Sequence, residues 1–439
     1  MSRFCFLILF SSLLFSCQDN AVSSANGESQ LRLSTAESAY IVVKDNHTGE
    51  EQRIGLNGGE GDVIAFRIEE RLEDDTIPTF QEIVGGMIGG KNSPAGSQGG
   101  KPSYKLGDKT LILEDYDGSQ LMKSRVQFQW QDPRHLELQK LRKNEKLDEL
   151  VKGSKTDLEL FFRLQNWCRK QWEISEPNPY PIWNANVILS EIRSGKTGGF
   201  CGQYSQVLSQ ALTSFGYSCR YLWLKNHFAL EVYSNSLNKW IALDPLANAV
   251  YKRGELYLSA MEIYEALNGK GDLASIVAWN TASETVIEGG AKIKTFAECV
   301  YDLKNTHLGE REGGLFYVNN YWLHSVVYAD ANITAYDFNG KLPLMTPNKR
   351  DIYFPMNQCS YEVRALNQGA GVAFMTLHLN SNMPFLKGFQ LSKDGGKSWF
   401  ATTQQFRLKV KEGLNDFRFR SVNVLGVTGV EKRLAVSLK

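Results

Sequence analysis

Three residues in the middle of the chain have the side-chain types of a thiol catalytic triad: Cys201, His227 and Asp244. A cysteine thiolate attacks carbonyl carbons, an imidazole moves protons near neutral pH, and a carboxylate orients the imidazole. The stretch that contains them, from Gly198 to Pro245, therefore predicts nucleophilic chemistry on an acyl group. This prediction requires a helix and two strands that bring the three side chains together.

The cysteine is predicted to stand at the start of a helix that ends at Gly216. The apolar and aromatic residues after it have the spacing of one helical face: Tyr204, Val207, Leu208, Ala211, Leu212 and Phe215. At a helix N-terminus, unpaired N–H groups and the macrodipole favour thiolate over thiol. Gly198 and Gly199 would let a substrate carbonyl approach both the sulfur and the Cys201 amide. Taken alone, a cysteine in this context is structural more often than catalytic.

The histidine and the aspartate are predicted to meet across a β-hairpin. HFALEVY and KWIALD alternate as strands do, and SNSL between them has the length of a hairpin loop. If Tyr233 pairs with Asn238, antiparallel register pairs His227 with Asp244, with Cβ atoms about 4.5–5.5 Å apart. A slip of one residue would place the two on opposite faces of the sheet. The pair, together with a helix-capping cysteine upstream, favours catalysis over a structural role.

The glycine-led cysteine, the GYSCRYLWL segment, the strand-opening histidine and EVYSNSLNKWIALDP together resemble the transglutaminase-like superfamily. The resemblance covers residues 136–267, from the helix LFFRLQNWCRKQW and its upstream neighbour to YLSAMEIYEAL. It implies a papain-like core in which Cys201 is the nucleophile, His227 the general base and then acid, and Asp244 the orienting carboxylate. It also implies attack on an amide carbonyl, release of the amine, and resolution of a thioester by water or another amine.

Two parts of the site depart from the family pattern or stay open. His227 is followed by Phe228 and Ala229, where many relatives have Ala-Trp, and this changes a wall of the substrate site. The resemblance also implies a second oxyanion donor from a side chain upstream of the cysteine. Gln165 and Trp167 are both candidates for that role, and the sequence does not choose between them.

Composition and charge exclude several other classes of function. Among the 439 residues, Lys and Arg total 49 and Asp and Glu total 48, without long runs of either sign. We therefore expect no nucleic-acid partner. The six histidines are scattered and form no close ligand set, so we predict no metal site. The segment SGKTGG (residues 194–199) resembles the end of a phosphate-binding loop, but Ser190 stands where such a loop requires its first glycine. We therefore predict no cofactor.

The N-terminus has the pattern of an export signal. Arg3 precedes an apolar run, from Phe4 to Phe15, that is too short to span a bilayer. The tetrapeptide LFSC, which ends at Cys17, resembles the lipobox of bacterial lipoproteins, in which the cysteine is acylated. The resemblance implies a lipid-anchored protein of the bacterial cell envelope, periplasmic or surface-exposed, with ordinary secretion as the alternative. We predict a signal peptide over residues 1–16 and a polar tether over 17–30.

The pattern of hydrophobic residues predicts an α+β chain of several domains. Short β-branched and aromatic runs broken by Gly and Asp predict a β-rich N-terminal domain over residues 31–131. Helical signals place the transglutaminase-like, papain-like domain over residues 132–290. Further strand-length runs predict a β-rich connecting region over 291–350 and an immunoglobulin-like β-sandwich over 351–439.

The leading hypothesis for function is an exported cysteine-dependent amide hydrolase, a peptidase or amidase. Its expected partner is a peptide or protein substrate, with cell-wall peptide and glycan-associated material included. One alternative is a non-catalytic binding or assembly lipoprotein with a vestigial triad, whose β domains grip protein or glycan. A second alternative is a protein cross-linking acyltransferase, which needs a site that excludes water and admits an amine.

Overall fold

The structure is a computed structural model that describes residues 101–117, 121–122, 124–288, 290–305, 308, 325–328, 344–369 and 372–439, and the backbone of five strands before residue 67. Within these described residues, seven strands precede the first helix: β1 (Val22–Ala25), β2 (Glu28–Arg32), β3 (Ala39–Lys44), β4 (Glu51–Leu56), β5 (Val63–Phe66), β6 (Ser103–Leu106) and β7 (Lys109–Tyr116). Strands β1, β2 and β5 form one antiparallel sheet, and β3 pairs with β4.

Strand pairing near the N-terminus corrects the predicted tether. Strand β1 and the beginning of β2 lie within residues 17–30 and pair with each other, so this segment is not an unpaired linker throughout. The backbone groups of β1 and β2 find their hydrogen-bond partners in neighbouring strands. The polar local sequence does not indicate this pairing. The predicted signal peptide over residues 1–16 and the predicted lipidation site at Cys17 lie outside the described residues.

From residue 124, where the described chain continues unbroken, five helices lead up to and include the cysteine segment: α1 (Leu136–Asn144), α2 (Leu147–Val151), α3 (Asp157–Arg169), α4 (Ala185–Arg193) and α5 (Cys201–Ser214). Helix α3 begins where the sequence predicts, because the Thr156 side chain accepts the Glu159 N–H at 3.2 Å. Phe161 and Leu164 on its apolar face are buried in the same core as α5. Helix α5 is buried along its whole length and is the central helix of the domain.

A large sheet packs against α5. In chain order its strands are β8 (Cys219–Leu224), β9 (His227–Ser234), β10 (Lys239–Asp244), β11 (Ala249–Arg253), β12 (Leu256–Tyr257), β13 (Ile276–Asn280), β14 (Thr285–Ile287), β15 (Cys299–Asp302), β16 (Ser325–Tyr328) and β17 (Leu344–Thr346). Across the sheet the order is β14-β13-β11-β10-β9-β8-β15-β16-β17, with β12 paired to β11. Strands β16 and β17 are parallel and the other neighbours antiparallel.

Both faces of this sheet are covered, as the long apolar runs of its strands require. On one face, Leu230 and Val232 of β9 share a core with Leu208 of α5. On the other, Ala229 of β9 shares a core with Tyr264 of α6 (Ala260–Leu267), and a short helix α7 (Ala291–Lys294) follows. Within the described part of the chain, no helix is both long and apolar enough to cross a membrane.

The central domain is larger than residues 132–290. Strands β15, β16 and β17 belong to its sheet, although they lie in the predicted connecting region 291–350. Val126 on one side of the predicted domain, and Ile352 on the other, are buried in its core. These boundaries were placed wrongly because the strand pairings and core contacts join residues far apart in sequence, which local patterning does not record.

The C-terminal unit is a β-sandwich of two sheets. Its own strands are β18 (Cys359–Gly369), β19 (Val372–Ser381), β20 (Leu386–Ser392), β21 (Phe400–Thr402), β22 (Gln405–Val410), β23 (Gly413–Asn423) and β24 (Lys432–Leu438). One sheet has the order β18-β19-β22 and the other β21-β20-β23-β24-β7-β6. Strands β6 and β7, predicted in the N-terminal domain 31–131, thus complete the sandwich. Pairing of β7 with β24 buries Leu111 and Leu113 in the sandwich core.

The sandwich is hydrogen-bonded to the central domain at a few asparagines. Asn357 Nδ2 donates to Asn235 Oδ1 at 2.6 Å, and Asn235 Nδ2 donates to the Thr428 carbonyl at 3.0 Å. Asn423 Nδ2 donates to the Gly216 carbonyl at 2.9 Å. Asn235 lies in the β9–β10 loop and Gly216 follows α5. The sandwich therefore contacts the ends of the hairpin and the helix that are remote from the three candidate residues.

Candidate active site

The start of helix α5 presents Cys201. Phe200 precedes the helix in an extended conformation, and its backbone N–H donates to Oε1 of Gln203 at 3.1 Å. Cys201 is 9% exposed, whereas each of the other four cysteines in the described residues is at most 3% exposed. Because the first N–H groups of a helix lack intrahelical partners, the sulfur lies at the positive end of the helix dipole. The predicted position of Cys201 at a helix start is confirmed.

His227 opens strand β9 and Asp244 ends strand β10. Nε2 of His227 lies 2.8 Å from Oδ2 of Asp244, and both side chains are buried. The second carboxylate oxygen, Oδ1, accepts the Ala247 N–H at 3.1 Å, and the Tyr251 hydroxyl lies 3.5 Å from Oδ2. The carboxylate is therefore fixed from several sides, and it in turn fixes the imidazole ring.

The register of this hairpin differs from the predicted one by two residues. Tyr233 pairs with Trp240 instead of Asn238. The loop comprises residues 235–238 and starts one residue later than predicted. Asn238 ends it in a left-handed backbone conformation (φ 53°) that a strand residue does not adopt. A shift of two keeps every side chain on its predicted face, so the contact between His227 and Asp244 forms between diagonal neighbours.

The charges of the pair follow from burial and from their contact. Burial lowers the pKa of His227, but the Asp244 carboxylate and hydrogen bonds with Asp244 and Cys201 outweigh it and raise that pKa to about 9. Burial raises the pKa of Asp244, but its ion pair with His227 and the Ala247 N–H hold that pKa below its usual value. At neutral pH the pair is imidazolium and carboxylate. Since Nε2 contacts Asp244, Nδ1 is the ring nitrogen that faces Cys201.

The two glycines before the cysteine are needed for packing. A Cβ atom on Gly198 would lie 2.3 Å from the backbone oxygen of Glu176, and one on Gly199 would lie 2.6 Å from Nε1 of Trp172. The Trp172 Nε1–H donates to the Gly199 carbonyl at 3.1 Å. The segment before α4 therefore lies directly against these two glycines.

The two predicted oxyanion donors are engaged elsewhere. Nε2 of Gln165 donates to the Ala249 carbonyl at 3.3 Å and to Oγ1 of Thr281 at 3.2 Å. Trp167 packs in the core between the helices and the sheet. These contacts do not support a donor role for either residue at Cys201, because the amide nitrogen of Gln165 holds β11 and the indole of Trp167 fills a different core cluster.

A separate aromatic cluster surrounds the cysteine. Its buried members besides Cys201 are Trp183, Tyr221, Trp223, Phe228, Val300 and Val327, and Tyr180, Phe200 and Leu246 pack against it. Two members of this cluster, Tyr180 and Trp183, were not predicted from the sequence and lie in the proline-broken segment PNPYPIW between α3 and α4. The signal that could have identified them is the presence of two large aromatic residues in a loop, where no periodic pattern explains them as core.

The described residues contain no group of three or more His, Cys, Asp or Glu side chains that could hold a metal ion. The cysteines at positions 168, 201, 219, 299 and 359 are all free thiols. The geometry is thus that of a partly accessible thiol, a charged imidazole and a buried carboxylate, which can carry out acyl transfer without a cofactor.

The same segment matches a known family. Residues 145–245 match the family model described as the Transglutaminase-like superfamily, and this range contains Cys201, His227 and Asp244. The chain therefore carries a transglutaminase-like domain.

Curated relatives are similar over a shorter stretch. The chain is 36% identical over 66 residues to the peptide-N(4)-(N-acetyl-beta-glucosaminyl)asparagine amidases of Kluyveromyces lactis and Eremothecium gossypii, and 35% identical over 66 residues to that of Saccharomyces cerevisiae. The match covers 15% of this chain and 18%, 18% and 17% of the three relatives, less than a fifth of their length. The crystal structure of red sea bream transglutaminase aligns with 95% of this chain and 87% of its own, at 10% identity and a TM-score of 0.20.

Proposed function

We propose that the protein is an exported cysteine-dependent amide hydrolase that works through an acyl-enzyme. The observation that carries the proposal is the contact between Nε2 of His227 and Oδ2 of Asp244 at 2.8 Å, together with Cys201 at the start of α5, which contributes to the raised pKa of His227. The transglutaminase-like domain and the short similarity to amidases support hydrolysis of an amide.

The proposed reaction has two halves. The Cys201 sulfur forms a bond to the carbonyl carbon of the substrate amide, and the carbonyl oxygen becomes an anion near the first N–H groups of α5. When this intermediate collapses, the C–N bond breaks and His227 gives its proton to the leaving amine. Water then attacks the thioester while His227 takes one of its protons. The acid leaves and the sulfur is restored.

The substrate is proposed to be a peptide or a protein. The relatives are named for an amidase that acts on an asparagine in a peptide, and this supports a peptide-linked amide as the bond that is cleaved. Cell-wall peptide and glycan-associated peptide are the proposed sources, because the lipobox-like sequence ending at Cys17 favours export and lipid anchoring at the cell envelope.

The test compares the wild type with Cys201→Ala and with Cys359→Ala, a buried thiol of the sandwich that serves as the control. Each protein is incubated with a panel of peptide and cell-wall-peptide amides, with and without an added primary amine, and acylated protein is sought by mass spectrometry. We expect the wild type and Cys359→Ala to release amine and Cys201→Ala to release none. Incorporation of the added amine instead of hydrolysis would indicate a cross-linking acyltransferase. No turnover and no acylation at Cys201 would contradict the proposal and favour a binding protein with a vestigial triad.

A further inference from the structure

Tyr251 places its hydroxyl group at the oxygen of Asp244 that also contacts His227. Strand β11 pairs with β10 so that Ala249 stands opposite Asp244, and Tyr251 follows two residues later on the same strand. Its hydroxyl lies 3.5 Å from Oδ2 of Asp244, the atom that lies 2.8 Å from Nε2 of His227. An ionised carboxylate only accepts hydrogen bonds, so the phenol is the donor. The phenol and the imidazole therefore share one carboxylate oxygen.

The surrounding core fixes the position of this phenol. Tyr251 is fully buried, and the ring of Phe296 packs edge-on against it, with centroids 4.8 Å apart and an interplanar angle of 77°. Its backbone is paired with Ala278 of β13, and its carbonyl accepts the Leu258 N–H at 2.9 Å. Because the ring and the backbone are both held, the hydroxyl has a fixed position beside Asp244.

The phenol keeps its proton and directs it at the carboxylate. Burial raises the pKa of Tyr251 well above its usual value, and the charge of Asp244 raises it further. The positive end of the O–H dipole stabilises the carboxylate and opposes the positive charge on the imidazolium of His227 beside it. The other charged groups that act on the pair are Lys292 of α7, which lowers the pKa of Asp244, and Cys201, which raises that of His227. The effect of the phenol on His227 therefore opposes that of the carboxylate.

We propose that Tyr251 is a positioning residue that acts on His227 through Asp244: its hydroxyl stabilises the charge on Oδ2 and so weakens the attraction between the carboxylate and the imidazolium. His227 then gives its proton to the leaving amine more readily, and a larger fraction of it is neutral when a proton must be taken from water. This inference rests on the proposed function, because proton transfer by His227 is the step that Tyr251 adjusts.

The experiment removes only the hydroxyl group, because Tyr251→Phe keeps the ring and its contact with Phe296. NMR titration should show that the pKa of His227 rises by roughly half a unit, since the dipole that opposes the imidazolium is lost. Hydrolysis at pH 7 of the acetyl-enzyme formed from p-nitrophenyl acetate should then be about threefold slower, because the neutral fraction of His227 falls by that factor. The NMR titration requires no turnover, so it reports on Tyr251 even if no amide is hydrolysed.

Two further variants show whether the effect passes through Asp244. In the Asp244→Asn background, Tyr251→Phe should leave the pKa of His227 unchanged, because the carboxylate that links the two residues is absent. Tyr301→Phe is the matched control. Tyr301 is a buried tyrosine of the same core, and its hydroxyl lies 3.1 Å from that of Tyr353 instead of at the triad. Its removal should leave the pKa of His227 at the wild-type value.

The direction of the pKa change decides the outcome. An unchanged pKa of His227 in Tyr251→Phe would overturn the inference. A lowered pKa would overturn it too, since the hydroxyl would then only hold the carboxylate in contact with the imidazole. The same rise in the Asp244→Asn background, or in Tyr301→Phe, would show that the effect does not pass through Asp244 and would also overturn it. A raised pKa in a protein that forms no acetyl-enzyme would contradict the proposed function and support the action of Tyr251 on His227.

Discussion

Nε2 of His227 lies 2.8 Å from Oδ2 of Asp244, although the two residues do not stand directly opposite each other in the sheet. The last paired residues of β9 and β10 are Leu230 and Leu243, so the His–Asp contact forms beyond the paired part of the ladder, at the end of the hairpin. This position leaves Nδ1 of the ring facing the start of α5. The hairpin thus supplies a proton carrier at the open end of two central strands, while its paired part stays in the core.

Asp244→Asn should reduce amide hydrolysis on the order of 10³–10⁴-fold, as loss of the orienting carboxylate does in other triads. The amide keeps the shape of the side chain but no longer stabilises the imidazolium. NMR titration should show that the pKa of His227 falls from about 9, because the Asp244 charge is a main cause of its elevation. The control is Asp302→Asn in β15, a buried aspartate in another part of the sheet. Unchanged hydrolysis in Asp244→Asn would exclude this triad.

The rate of amide hydrolysis should fall as the pH rises above about 9. His227 must hold a proton in order to give it to the leaving amine, and its pKa is raised to about 9. The kcat measured from pH 6 to 11 should therefore have an alkaline limb near pH 9. In Asp244→Asn the limb should move to lower pH together with the pKa. A limb near pH 6.5 in the wild type would show that the ion pair does not hold in solution.

The same ionisation should make the stability of the protein depend on pH. The folded-state pKa of His227, about 9, exceeds the ordinary value of 6.5 expected after unfolding. Its contribution is therefore fully present below pH 6.5, decreases between pH 6.5 and 9, and is lost above that range, with a total of roughly 3 kcal/mol. Urea unfolding at pH 6 and pH 9.5 measures it. His227→Gln should lack this part of the pH dependence, and equal dependence in both proteins would contradict the assignment.

Much of the site could be predicted from sequence because its determinants are local. Helical periodicity after Cys201 located the start of α5, and two-residue alternation kept His227 and Asp244 on one face despite the error in register. The neighbours of the thiol could not be predicted in this way. Tyr180 lies in an aperiodic loop, and its place beside Gly202 depends on tertiary packing.

The domain boundaries were harder to predict for a related reason. Strand β7 looks like any other alternating strand, and only its pairing with β24, more than three hundred residues later, assigns it to the sandwich. In the same way, β15 joins the central sheet through β8. Such pairings are set by the global fit of the sheets, and a local pattern specifies that a strand forms without specifying its partner.

Gly198→Ala should destabilise the protein and disturb the start of α5. The new Cβ would lie 2.3 Å from the backbone oxygen of Glu176, which cannot rotate away as a side-chain end could. We expect a loss of about 1–3 kcal/mol, typical of overpacking, and slower alkylation of Cys201. Gly388→Ala is the control, because a Cβ there meets nothing within 4 Å. Thermal unfolding and thiol alkylation give the two readouts. Equal thermal stability and equal alkylation rates in Gly198→Ala and Gly388→Ala would show that the backbone around Glu176 moves aside without cost.

A buried ion pair should be a sensitive point in the stability of the central domain. Arg220 and Glu231 pair across β8 and β9, Nε of Arg220 lies 2.7 Å from the carboxylate, and neither side chain is exposed. The guanidinium carbon of Arg220 lies 4.1 Å from the Trp240 ring centroid. Glu231→Gln should cost about 3–5 kcal/mol in the free energy of unfolding, because it leaves a buried cation without its counter-charge. Urea unfolding measures this loss.

The double variant Arg220→Met, Glu231→Leu tests the cause of that loss. It removes both charges, so it should be more stable than Glu231→Gln. The recovery should be partial, because the Glu231 carboxylate also accepts the Ala260 N–H and the Tyr353 hydroxyl, each at 2.6 Å, and both would lose their partner. Glu412→Gln, which breaks an exposed pair with Lys109, is the control and should leave the free energy of unfolding almost unchanged. If the double variant is less stable than Glu231→Gln, the hydrogen bonds of the carboxylate outweigh the unpaired charge.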